Sequence, residues 1–123
     1  MTKEEFLKQL KSVIPLDSKL DNPGGGVSMI VSIGEDKLSY IRGTSRIYLP
    51  VEAVFDVLNE FSGKTVSTND LKEYNPIVFD TKRGGHDCNR TVMFCIFEKM
   101  GLTFGGIKGS GRRGSPFYIT LSK

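Results

Sequence analysis

The run Val92-Met93-Phe94-Cys95-Ile96-Phe97 is apolar without a break and sits inside Asp87–Met100, a segment whose length and flanks predict a helix. A helix that is apolar almost all round offers water no face, so its middle must be largely buried by other parts of the chain. Its start differs: Asp87, Asn89, Arg90 and Thr91 make the first turns polar and basic. Gly101 then ends the helix, and two strand-like runs, 102–108 and 116–121, flank Gly109-Ser110-Gly111-Arg112-Arg113-Gly114. That pattern predicts a hairpin with arginines at its tip.

The rest of the chain supplies the elements to enclose this helix. Residues 2–13 predict an amphipathic helix with Thr2 as cap, Glu4 and Glu5 at its positive end, and Phe6, Leu7, Leu10 and Val13 on its apolar face. Pro15 stops it, and Asn22-Pro23-Gly24-Gly25-Gly26 reads as a turn. Val27–Ile33, Lys37–Arg42 and Arg46–Leu49 follow as a three-stranded meander joined by tight turns. Pro50 suits the first position of the next helix, whose apolar residues Val51, Val54, Phe55, Val57, Leu58 and Phe61 recur at helical spacing up to Gly63. Lys64–Val66 is short and extended. Ser67 with Asp70 forms a capping box for a further helix that ends at Asn75-Pro76, with Ile77–Phe79 as a further turn. Thr81–His86 reads as a loop, and Asp87 or a neighbour caps the apolar helix.

From Pro50 onward the predicted order is helix, short strand, helix, helix, strand, strand. With an arginine-tipped hairpin after the last helix, residues 50–123 resemble the winged helix-turn-helix DNA-binding superfamily. The expected fold is therefore α+β: a winged helix-turn-helix domain over 50–123, with an amino-terminal helix and small antiparallel β-meander over 1–49, packed as one unit. The resemblance implies a non-enzymatic protein that binds double-stranded DNA, as a transcription regulator or accessory factor. It places the helix 87–100 in the major groove and the hairpin on the backbone or in the minor groove.

Because the middle of that helix must be buried, only its start remains to reach bases: His86, Asn89, Arg90 and Thr91. Asparagine and arginine are suited to adenine and guanine edges respectively. Lys82 and Arg83, beside Gly84 and Gly85, are placed to hold a phosphate near the positive end of the helix. Lys108, Arg112 and Arg113 form the hairpin's contact set, and a hairpin turn has no folding need for two adjacent arginines. Lys37, Arg42 and Arg46 extend this set from the meander; edge-strand charges that discourage aggregation account for them equally well.

Charge supports a basic face that is local. The net charge is +3, yet residues 1–80 hold nine Lys/Arg against twelve Asp/Glu, while residues 81–123 hold eight against two. Binding follows the local field, not the total. Cys88 and Cys95 lie about two helical turns apart, roughly 10 Å, which is too far for a disulfide and fits a reducing compartment. No apolar run has the length of a membrane span or a signal-peptide core, so the cytoplasm is the expected location.

Three rival chemistries remain. The first is a small adaptor, or an inhibitor of a nucleic-acid enzyme, on the same scaffold, of the kind a phage or mobile element carries. The second is a magnesium-dependent nuclease in which Asp17 and Glu35 of Glu35-Asp36-Lys37 hold the metal and Lys37 activates water, against which stands the placement of Glu35 and Lys37 in a turn. The third is a metal site from His86, Cys88 and Cys95, which has one ligand fewer than structural zinc needs. No phosphate-loop or dinucleotide fingerprint is present, so no cofactor is expected. Besides DNA, a nucleic-acid enzyme and a second copy of the chain are the partners the residues leave open.

Overall fold

The computed structural model describes residues 1–123. The chain folds as a mixed α+β structure with five helices and two antiparallel sheets. Helix α1 (Lys3–Val13) starts in a capping box: the Thr2 hydroxyl accepts the Glu5 N–H while the Glu5 carboxylate accepts the Thr2 N–H. Strands β1 (Lys19–Asp21), β2 (Val27–Ile33), β3 (Lys37–Arg42) and β4 (Ser45–Pro50) form a four-stranded sheet in sequence order. The expected meander thus gains a strand before it. β1 is three residues long with one buried side chain, Leu20, too short for alternation to announce it.

Pro50 is the last residue of β4 and caps the helix from outside; α2 begins at Val51 and runs to Glu60. The prediction erred by one position, because the extended backbone of Pro50 (ψ 129°) belongs to the strand. β5 (Thr65–Ser67) leads into α3 (Thr68–Tyr74), where Ser67 and Asp70 form the expected capping box. The turn through Ile77 is a one-turn helix, α4 (Pro76–Phe79), and the loop after it begins with a 3-10 turn at Thr81–Arg83. The apolar helix, α5, spans Cys88–Lys99. β6 (Thr103–Lys108) and β7 (Tyr118–Leu121) complete a second sheet in the order β5-β7-β6.

The β6–β7 ladder is broken. Phe104 pairs with Thr120 and Lys108 with Tyr118, so β6 carries extra residues in a wide bulge. The Ile107 N–H inside the bulge donates to the Glu98 carboxylate at 3.0 Å.

One continuous cluster of 24 buried residues serves the whole chain, from Phe6 on α1 through Tyr40 on β3 to Phe94 on α5 and Ile119 on β7. The change of element type near residue 50 therefore does not divide the core. On α5 every residue from Val92 to Phe97 is buried, as the unbroken apolar run requires. Burying side chains of this size contributes about 1.5–3 kcal/mol each. Pulling α5 out of its surroundings would therefore cost as much as the whole stability of a typical small domain. No helix is long and apolar enough to cross a membrane.

The four-stranded sheet is joined to α5 through Asn89, which is 2 % exposed. The Tyr40 hydroxyl donates to Asn89 Oδ1 at 2.8 Å, and Asn89 Nδ2 donates to the carbonyls of Val78 at 3.1 Å and Tyr48 at 3.3 Å. A second tie lies farther along the helix, where the Cys95 thiol donates to the Asp21 carbonyl at 3.4 Å. Asn89→Ala is expected to destabilise the fold by about 3 kcal/mol, because it strands the buried Tyr40 hydroxyl as well as losing its own bonds. Tyr40→Phe should cost about half as much. Urea unfolding of the pair and the double variant should give a total below the sum of the single effects.

Candidate nucleic-acid interface

Asn89 does not face a partner. Its amide is enclosed and its hydrogen-bonding groups are engaged by Tyr40, Tyr48 and Val78, so the base-reading role expected for it is withdrawn. The sequence showed a polar residue in the first turn of a helix, where a solvated or base-reading side chain is the ordinary reading. The partner that buries it lies 49 residues away. The same tie lays the four-stranded sheet along α5 from Asn89 to Cys95, about 9 Å of helix. That part of α5 is thereby covered by the amino-terminal part of the chain.

What the fold gathers instead is a cleft of about 510 Å³. Arg42 comes from the end of β3, Arg90 from the first turn of α5, and Arg112 and Arg113 from the tip of the β6–β7 hairpin. Asn22 and Gly24 from the β1–β2 turn, and Thr68 and Asn69 from α3, complete much of the wall. Only two of its fifteen lining residues are hydrophobic, which makes it a poor site for an apolar ligand.

One carboxylate, Asp87, enters the cleft. Asp87 is the N-cap residue of α5, as expected of it or a neighbour, but its side chain makes no cap bond there. It turns back to the preceding loop, where Asp87 Oδ1 accepts the Thr81 N–H at 3.1 Å and Thr81 Oγ1 accepts the Asp87 N–H at 3.0 Å. Lys72 Nζ and the Arg90 guanidinium lie 3.6 and 3.7 Å from its oxygens. Partial burial on its own would raise the carboxyl pKa. The Thr81 N–H and the charges of Arg90 and Lys72 outweigh that and hold it below the ordinary value.

The remaining expected contacts fall in different places. Lys82, Arg83 and His86 are exposed on the loop before α5, which the Thr81–Asp87 pair ties to the cleft wall. The glycine beside them has another task than approaching a phosphate. Gly85 is buried against α4, and a Cβ there would come within 2.6 Å of the Val78 and Ile77 backbone. Lys108 is exposed on β6 beside Gly105 and does not line the cleft. Lys37 and Arg46 lie on the other face of the four-stranded sheet, over the Tyr48 ring at 4.6 and 5.5 Å. Arg46 also donates to the Ser39 hydroxyl at 3.0 Å. Of the three meander cations, only Arg42 joins the arginines of α5 and the hairpin.

The hairpin tip is a closed loop. The Gly111 N–H donates to the Ser115 carbonyl, and the Ser115 N–H returns to the Arg112 carbonyl, both at 2.9 Å. The Phe117 ring lies beneath it, and Gly111 (φ 75°) lets the backbone sit directly on that ring. A Cβ at 111 would fall 2.4 Å from the Phe117 ring, and one at Gly24 would fall 3.4 Å from the same ring. Phe117 thus packs between the hairpin tip and the β1–β2 turn.

Asp17, Glu35 and Asp36 are not brought together: no three His, Cys, Asp or Glu side chains form a group able to hold a metal ion. Cys88 and Cys95 are unpaired thiols, and burial pushes the Cys95 thiol up to about 11. Neither a known protein family nor any curated protein or solved structure matches the chain.

Gly111→Ala should cost about 2 kcal/mol in a thermal or urea melt, since the new methyl meets both a left-handed backbone and the Phe117 ring. The lowered Asp87 pKa has a definite sign. The stability it adds is present above the ordinary carboxylate range and is lost as pH falls through its folded value. Wild type should therefore be more stable than Asp87→Asn near pH 7, and the difference should shrink progressively as pH falls below the ordinary carboxylate range in melts at matched salt.

Proposed function

We propose that the chain is a non-enzymatic nucleic-acid-binding protein that grips double-stranded DNA mainly by its phosphates. The observation that carries this reading is the convergence of Arg42, Arg90, Arg112 and Arg113 on one cleft whose single carboxylate is already engaged. Arg112 and Arg113 form no ion pair within the chain, and the loop holding them has no structural use for their charge. Guanidinium forks match phosphate oxygens in geometry as well as charge.

We further read residues 50–123 as a winged-helix unit. The order α2, β5, α3, α5, β6, β7 and the sheet order β5-β7-β6 support this, with β6–β7 as the wing. In this reading the wing leads and the helix follows. α5 offers a partner only Arg90 and Thr91 from its first turn, with His86, Lys82 and Arg83 just before it. Sequence preference should accordingly be weak, because phosphate contacts position a protein without reading bases.

The covered face of α5 also favours a second reading, in which the scaffold has turned from DNA to a protein partner such as a nucleic-acid enzyme with an acidic surface. The two readings part in a pull-down from lysate: a complex bridged by DNA disappears on nuclease treatment, whereas a direct protein complex survives it.

The principal test is a salt titration with a duplex of random sequence. Wild-type affinity should fall steeply with salt. Arg112→Ala with Arg113→Ala should weaken binding about tenfold or more for every sequence tried and should reduce the slope against log salt by about 2. A double variant that binds as tightly as wild type at moderate salt would remove the wing from the interface.

A further inference from the structure

Resting on the nucleic-acid reading above, we infer that the arginine cleft is a socket for a phosphomonoester dianion: the phosphorylated end of a nucleic-acid strand, or the phosphate of a free nucleotide. A cleft of about 510 Å³ has the size of a site for one small ligand. A duplex backbone meets the exposed Arg112 and Arg113 at its rim, whereas Arg42 and Arg90 are half-buried on its other walls, where a group that projects from a chain end or is small itself reaches all four.

The charge inside fits such a group. Arg42, Arg90, Arg112 and Arg113 come from three separate stretches of chain and meet around one space. An internal phosphodiester brings one negative charge and two free oxygens. A phosphomonoester brings nearly two charges and three acceptor oxygens, enough for several guanidinium forks at once. The present partners of these arginines are few. Arg42 makes one long hydrogen bond, at 3.4 Å, to the Gly25 carbonyl. Arg90 donates from Nε to the Asp87 carbonyl at 3.1 Å and alone has a carboxylate beside it, at 3.7 Å, which is shared with Lys72 and Thr81. Asn69 is exposed on the same wall without a hydrogen-bond partner for its side chain, a donor suited to a ribose or a base edge.

The walls are also held in place before any ligand arrives. Phe117 packs under Gly111 on one side of the cleft and against Gly24 on the other. The wing tip is therefore docked on the β1–β2 turn, and little ordering remains to be done on binding.

The test uses the full chain and three fluorescent DNAs of the same stem: a hairpin with a 5′-phosphate, the same hairpin with a 5′-hydroxyl, and a closed dumbbell without ends. The phosphorylated hairpin should bind about tenfold or more tighter than the other two, the margin expected when charge-assisted hydrogen bonds are gained. A nucleoside monophosphate should erase that margin, and at lower concentration than the nucleoside with sulfate. Arg42→Gln, on a half-exposed strand end where folding is not at risk, should bring the phosphate-to-hydroxyl ratio close to one. Lys11→Gln, which removes a charge on α1, should leave the ratio unchanged. Equal affinity for all three DNAs overturns the socket while leaving duplex binding standing. Binding of the monophosphate without binding of any DNA upholds the socket as a nucleotide site and overturns the nucleic-acid reading. An unaltered ratio in Arg42→Gln overturns the assignment of the socket to this cleft.

Discussion

The hydrogen bond from the Tyr40 hydroxyl to Asn89 fixes where the two parts of the chain meet. Burial drives the Tyr40 hydroxyl pKa upward, so it remains a donor across the range in which proteins are handled. The geometry that follows is nearly forced. Tyr40 and Arg42 are two apart on β3 and share a face, while Asn89 and Arg90 are neighbours in the first turn of α5. Joining Tyr40 to Asn89 therefore carries Arg42 to the side of Arg90. The cleft is a by-product of a bond made for folding, and its cost in like-charge repulsion is moderated by Asp87, which the loop at Thr81 holds ionised in its wall.

Much of this was legible from local pattern. The capping boxes at Thr2–Glu5 and Ser67–Asp70 involve residues three apart, so a linear reading finds them. The burial of Val92–Phe97 follows from the absence of any polar position in the run. What escaped are features whose cause lies far along the chain. β1 exists because it pairs with β2, since nothing within Lys19–Asp21 distinguishes three strand residues from a loop. Asn89 is polar and sits where a base-reading residue would, and only a tyrosine 49 positions earlier makes it structural. Gly85 has the composition of a phosphate-approaching loop but is consumed by the backbone of α4. The hairpin arginines were readable as exposed cations because their side chains answer to no neighbour; Arg42 was readable as a cation, but its company was not.

The charge asymmetry along the sequence acquires a different meaning in three dimensions. Residues 81–123 hold the excess of lysine and arginine, yet the cleft draws one of its four arginines from the acidic first part of the chain. Conversely Lys99, Lys108 and Lys123 belong to the basic part and lie outside it. Linear charge density thus points to the stretch that supplies three of the cleft's four arginines but not to the set as a whole, because folding sorts side chains by strand face and helix turn and not by sequence block.

The bulge in β6 has a consequence beyond the shape of the hairpin. β6 is the outer strand of its sheet, and an uninterrupted outer strand displays a row of free N–H and C=O groups on which another chain can add itself. Here the ladder lapses between Phe104 and Lys108, and the Ile107 N–H is taken up by a carboxylate from α5. Exposed Phe104 therefore borders a rim that is kinked, partly satisfied and unsuited to templating. Glu98, one of only two acidic residues in the basic part of the chain, thus takes up one backbone donor of that strand.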